Sequence, residues 1–132
     1  QTALQEGEFI AAIHIPRLKP NQHLVVDKVS KRWDDDISAV CAAWCLTLAA
    51  DHIVDARSGY GGVAATPARA KQTEQALIGQ PLSPSTVKAA QQALTVDFKP
   101  LSDVRASSEY RLLVAQNLLE RLRLNLTSDH PI

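Results

Sequence analysis

Apolar residues come in short dense runs in the first half of the chain and at helical spacing in the second. Residues 8–15 (Glu-Phe-Ile-Ala-Ala-Ile-His-Ile) form such a run, closed by Pro16. They predict a strand, with Pro16 and Pro20 punctuating a loop through Asn21. Residues 24–26 predict a further short strand. Residues 37–49 read two ways. At helical spacing Ile37, Val40, Cys41, Trp44, Cys45 and Leu48 share a face; at period two Val40, Ala42, Trp44, Leu46 and Leu48 do. Periodicity favours the helix, whereas a turn at Asp51-His52 and a return strand over 53–60 favour a hairpin. The residues alone leave both open.

Gly61-Gly62 ends the strand-rich part. Thr66-Pro67 predicts a helix start with an N-cap and a proline at N1, and Gly79 its end. Ser83-Pro84 repeats the start signal, with Val87, Ala90 and Leu94 on one face. Phe98-Lys99-Pro100 breaks that pattern. Ser107 is the expected N-cap of a last helix carrying Leu112, Ala115, Leu119 and Leu122 on a stripe that Val114 and Leu118 widen. The tail from Thr127 is expected to fray. Strands first and three helices after predict an α+β domain.

At 132 residues the chain is one domain, large enough to bury a core. Fourteen basic residues balance fourteen acidic ones, which argues against broad nucleic-acid or acidic-membrane binding. No apolar run approaches a membrane span and no signal peptide opens the chain, so a cytoplasmic location is expected. The absence of methionine and the start at Gln1 suggest a piece of a longer polypeptide.

Charge changes this picture most at residues 28–37, Lys-Val-Ser-Lys-Arg-Trp-Asp-Asp-Asp-Ile. Three cations face three consecutive carboxylates across one tryptophan. Unpaired charge of this density is too costly to bury, so the stretch is either a solvated loop or a surface for a charged partner or cofactor. Other candidates are weaker. Cys41 and Cys45 are too far apart in a strand for a disulfide and read as two small buried hydrophobes. His14 reads as a partly exposed strand residue. Gly61-Gly62 reads as a strand-end turn allowing close backbone approach rather than a phosphate cradle. Residues 103–111 read as a structural tie between the last helix and the sheet, a contact with a neighbouring subunit being the alternative. No zinc pattern, nucleophilic arrangement or acid–base pair stands out, so no catalytic or metal residue is assigned.

Three motifs stand in one order: Lys28-Val29-Ser30-Lys31-Arg32 with Asp35-Asp36-Ile37, then Tyr60-Gly61-Gly62-Val63-Ala64, then Asp103-Val104-Arg105-Ala106-Ser107 with Tyr110-Arg111. Together they resemble the C-terminal part of the FAD-binding region of xanthine dehydrogenases, carbon monoxide dehydrogenase medium subunits and related molybdenum hydroxylases. The resemblance covers about residues 8–126. It implies a three- or four-stranded antiparallel sheet followed by three helices packed on one face, and so a strand at 37–49. It implies three parts: residues 1–23, a strand and linker from a preceding FAD-binding domain; residues 24–126, the flavoprotein C-terminal domain; and residues 127–132, the tail.

The resemblance also implies a cofactor site. Lys28 matches the family's lysine near the isoalloxazine ring, Ile10 the aliphatic residue against the ring, and Asp35 the carboxylate of an acidic loop at residues 29–39. Asp27 stands where the family commonly has an aromatic residue, and is expected to pair with Lys28. Most of the FAD would be held by the preceding domain. The complete enzyme would carry 2Fe-2S clusters and molybdopterin, and would pass electrons from purine (hypoxanthine or xanthine) oxidation through FAD to NAD. Its expected partners are the FAD-binding and iron–sulfur domains and the molybdopterin subunit. The isolated chain is expected to be inactive. The alternative is a non-catalytic α+β interaction module that keeps the fold without binding flavin.

Overall fold

The computed structural model describes residues 3–33 and 36–128. Three antiparallel strands, β1 (Gln22–Val29), β2 (Val40–Ala49) and β3 (His52–Gly61), form one sheet in the order β1-β2-β3. Three helices follow, α1 (Lys71–Leu77), α2 (Pro84–Asp97) and α3 (Ser108–Thr127). α1 and α3 pack on the sheet, and α2 packs between them.

Residues 37–49 thus resolve as strand. Val40, Ala42, Trp44 and Leu46 alternate into the core, while Cys41, Ala43 and Cys45 face the other side half-buried. Small apolar residues on both faces let the segment mimic helical spacing. The hairpin to β3 turns at Ala50-Asp51, and Ala50 takes the left-handed conformation (φ +54°) that a two-residue turn demands. One register shift opposite Thr47 and Leu48 lets Ile53 and Ala56 both point inward.

The core lies between the sheet and the helices. The indole N–H of Trp44 donates to the Tyr60 hydroxyl at 3.1 Å, and the two rings meet edge-on at 5.9 Å. Phe98 packs against the other side of Tyr60 at 5.2 Å. Burial pushes the Tyr60 hydroxyl's pKa well above its ordinary value, so it stays a neutral donor, as an apolar core requires.

Two elements depart from the sequence reading. Residues 8–15 form no strand: Phe9, Ile10, Ile13 and Ile15 are exposed, and no ladder joins them to the sheet. A β-rich run stays irregular without a neighbour to satisfy its backbone. The helix expected from Thr66-Pro67 starts only at Lys71. Ala68 exchanges both backbone hydrogen bonds with Tyr60, which holds this segment extended along β3. α1 is then capped from a distance. The Asp97 carboxylate accepts from the backbone N–H of Gln72 and Thr73, both at 2.9 Å, and from the Thr73 hydroxyl at 2.7 Å. The local signals hold elsewhere: Ser83 and Ser107 cap α2 and α3, and Gly79 follows α1 at φ +81°.

Candidate functional site

Strand alternation decides which side chains of β1 meet which surroundings. Val25, Asp27 and Val29 face the helices, whereas Leu24, Val26 and Lys28 face away. The expected Asp27–Lys28 pair therefore does not form. The Asp27 carboxylate instead meets the Arg121 guanidinium of α3 at 3.1 Å. Among the described residues the Lys28 side chain makes no hydrogen bond or ion pair, and it lies on the open face of the sheet.

Beside Lys28, where β1 ends, lies a solvent-open hollow of about 510 Å³ lined by Lys28, Val29, Ser30, Lys31, Arg32 and Trp33. The size is that of a small-molecule site. Its three cations are in different states. Lys31 Nζ donates to the Val104 carbonyl at 3.1 Å. Arg32 turns back to Asp36 through its backbone N–H at 3.1 Å and its guanidinium at 3.5 Å. Of the three cations, only Lys28 has no side-chain partner among the described residues. Trp33 is 99% exposed, an aromatic face with nothing against it. Of the other residues assigned to the site, Ile10 lies in the exposed N-terminal segment, 66% exposed and outside this lining. Asp35 lies outside the described residues.

The charged stretch rejoins the sheet at Ala39, whose N–H donates to the Val29 carbonyl at 2.8 Å. There the three sequence motifs converge on Arg111. This buried guanidinium donates through Nη1 to the carbonyls of Ala39 (2.5 Å) and Gly62 (2.8 Å) and through Nη2 to Asp103 Oδ1 (2.6 Å). Asp103 also accepts the backbone N–H of Arg105 at 2.8 Å and Ala106 at 3.1 Å. The Arg105 N–H, then the Arg111 guanidinium and the Ala106 N–H, hold its pKa down at about 2.

Gly62 is required at this junction. Its φ is +82°, and a Cβ there would stand 2.3 Å from the Ala39 carbonyl oxygen. Residues 103–111 are thus a tie between α3 and the sheet. The sequence placed Arg111 in this tie and in the third motif, but did not reveal its bonds to the Ala39 and Gly62 carbonyls. Its signal is positional: a cation stands one turn before Ala115 on the apolar stripe of α3, where a core residue belongs.

Cys41 and Cys45 do not sit in the core. Both are free thiols, half-buried on the open face. Cys41 is the cross-strand partner of Lys28, and Gly61 lies on its far side. No group of three metal-ligating side chains is assembled among the described residues, and no helix there is long and apolar enough to cross a membrane.

A family model, the CO dehydrogenase flavoprotein C-terminal domain, matches residues 27–126. The chain belongs to this family. Its sheet-then-helices order is the family fold. Similarity extends to the xanthine dehydrogenase FAD-binding subunit of Escherichia coli, 31% identical over 92% of this chain and 42% of that protein. The carbon monoxide dehydrogenase medium chain of Afipia carboxidovorans is 32% identical over 91% of this chain and 41% of its own length. A solved structure of reconstituted CO dehydrogenase from Oligotropha carboxidovorans superposes with a TM-score of 0.74 at 28% identity, covering 81% of this chain and 37% of that one. The chain therefore spans about two-fifths of the length of these curated relatives. The two family relatives match it equally well while differing in named substrate, so similarity selects the fold and the subunit type but not the substrate.

Proposed function

We propose that this chain forms one wall of the FAD site in a molybdenum hydroxylase flavoprotein. The observation that carries the reading is Lys28, a cation with no side-chain partner among the described residues, beside an open hollow and inside the matched family domain. The residues present fit one edge of a flavin. Lys28 offers a point charge, Val29 an apolar side chain, and Trp33 an aromatic face. They do not make a diphosphate site, since α1 begins nine residues beyond Gly62 and no helix N-terminus follows the double glycine. We assign the rest of the cofactor to a preceding FAD-binding domain. β1 starts at Gln22 and α3 ends at Thr127, so the C-terminal domain spans residues 22–127 rather than 24–126, with residues 1–21 before it; residues 129–132 of the expected tail lie outside the described residues.

FAD, when bound, would supply the link between one-electron iron–sulfur carriers and two-electron NAD. The contribution of this chain is electrostatic. An ammonium at ~4 Å attracts a unit negative charge by about 1 kcal/mol in water and roughly 4 kcal/mol at an effective dielectric of ~20. Covering Lys28 moves it from the first case towards the second. Lys28 thereby favours the charge that reduction places on the adjoining ring edge. Asp27, turned to Arg121, does not cancel it. We assign Asp35 the opposing carboxylate of the loop and Ile10 the apolar contact with the ring face. The proposed substrate is a purine, the further partners are iron–sulfur domains and a molybdopterin subunit, and the proposed location is cytoplasmic.

Replacing Lys28 by Met in the FAD-loaded flavoprotein tests the reading. The flavin midpoint potential is expected to fall with FAD content unchanged; an unmoved potential overturns it. A second reading, a non-catalytic interaction module, draws on the exposed Leu24 and Val26 beside Lys28. It is the reading that remains if the flavoprotein purifies without FAD.

A further inference from the structure

We propose that Arg111, together with Asp103 and the Val104 carbonyl, is a positioning clamp for the wall of the Lys28 hollow. The inference rests on the flavin reading only in naming what the hollow holds. Residues 30–33 form that wall, and they leave the sheet at Val29. Besides the Ala39–Val29 backbone bond, two ties run from the described part of the charged stretch to the same short unit. Near the entry, Lys31 Nζ reaches the Val104 carbonyl, 73 residues away in sequence. At the exit, the Ala39 carbonyl is held by Arg111, 72 residues away.

The unit that receives both ties is itself locked. Asp103 accepts from Arg105 and Ala106 and its own N–H donates to Ala106 O at 3.0 Å. Ser107 Oγ caps α3 by accepting the Tyr110 N–H, and Ser102 Oγ accepts from Ser108. The turn is therefore a rigid base for the wall.

The choice of residue supports the assignment. A buried guanidinium costs more desolvation than an apolar side chain of similar volume, so packing alone does not account for it. What arginine adds is a planar fork that holds several acceptors in fixed directions. Here the fork joins the exit of the charged stretch, the end of β3 and the first turn of α3. Gly62 is the residue that lets those backbones approach. Arg111 touches nothing in the hollow, so it acts through the wall. It is a positioning residue.

The test is limited trypsin digestion of the FAD-loaded flavoprotein, reading cleavage after Arg32 by mass spectrometry. Arg111→Lys keeps the charge and loses the fork. Lys31→Met cuts the other tie at an exposed residue. Arg69→Met is the control, because it removes an ion pair remote from the loop. At a fixed interval below each melting temperature, cleavage after Arg32 is expected to rise at least about ten-fold in the first two variants and not in the control. The flavin potential of Arg111→Lys is expected to shift with FAD retained.

Cleavage no faster than in Arg69→Met for both variants overturns the clamp. If Arg111→Lys does not fold, Lys31→Met alone decides by the same reading. The two proposals fail separately. A looser loop with an unmoved Lys28→Met potential upholds the clamp and overturns the flavin reading. An unchanged loop with a shifted Lys28→Met potential does the reverse.

Discussion

Two of the arginine–carboxylate clusters that hold helices to this sheet are built with opposite polarity. In one, the carboxylate of Glu74 is buried and its partner Arg69 is half exposed. In the other, Arg111 is buried and Asp103 is half exposed. The buried member dictates what each cluster organises. A buried carboxylate needs donors: Glu74 accepts from the Ser58 N–H and hydroxyl at 2.8 and 2.7 Å, and so pins α1 to β3 within the core. A buried guanidinium needs acceptors and finds carbonyls, which are free where chain segments leave regular structure. Arg111 therefore gathers Ala39, where the charged stretch rejoins the sheet, and Gly62, just past the end of β3. The same ion pair chemistry stabilises the core in one orientation and shapes a loop in the other.

The contrast is broken most severely at Gly62. Gly62→Ala drives a Cβ into the Ala39 carbonyl at positive φ, and is expected to cost about 3 kcal/mol or more, read as a lower denaturation midpoint. Gly59→Ala, with nothing within 4 Å of the added atom, is expected to stay within about 1 kcal/mol. Equal losses at the two glycines would contradict the junction. Next comes Glu74→Ala, which strands the Ser58 donors and is expected to cost about 2–4 kcal/mol by urea unfolding.

Much of this could be read in the sequence, and what could not has a common cause. α2 and α3 were legible because their caps, Ser83 and Ser107, are neighbours of the helices they start. The start of α1 was not, because its cap is Asp97, more than twenty residues downstream, and the Ala68–Tyr60 bridge keeps the Thr66-Pro67 signal extended. β2 was ambiguous because both its faces carry small apolar side chains. At the site, Lys28 was legible as a charge but not as an uncommitted one. That followed only once β1 ran the full length of Gln22–Val29 and alternation sent Asp27 to Arg121. Arg111 was legible as part of a tie between α3 and the sheet, but what it gathers was not, because those acceptors are backbone carbonyls, which have no letter in a sequence.

Acid distinguishes the clusters further. In Glu74, burial pushes the carboxyl up but hydrogen bonds from Arg69 and Ser58 outweigh it, leaving it below its ordinary value. Asp103 sits at about 2, against an ordinary 3.8. For both, the stabilisation is present above the ordinary value and is lost as pH falls through the lowered one. Stability is therefore expected to drop on acidification from about pH 5 to about pH 2, and Asp103→Asn to remove the part lost between 3.8 and about 2. A curve unchanged by that substitution would show that Asp103 contributes nothing to the clamp. The smallest effect is expected at Asp27→Asn, whose half-exposed partner Arg121 limits the loss to about 0.5–1 kcal/mol.

We propose that Lys28, without a side-chain partner among the described residues, places its positive charge against the edge of a bound flavin. The most direct measurement is the flavin midpoint potential of the FAD-loaded protein as wild type, Lys28→Arg and Lys28→Met. A two-electron couple moves by about 30 mV for each 1.4 kcal/mol, so an interaction of about 1 to 4 kcal/mol corresponds to roughly 20 to 90 mV. The expected result is a fall of that order in Lys28→Met, largely restored in Lys28→Arg. A potential that is the same in all three proteins would contradict it.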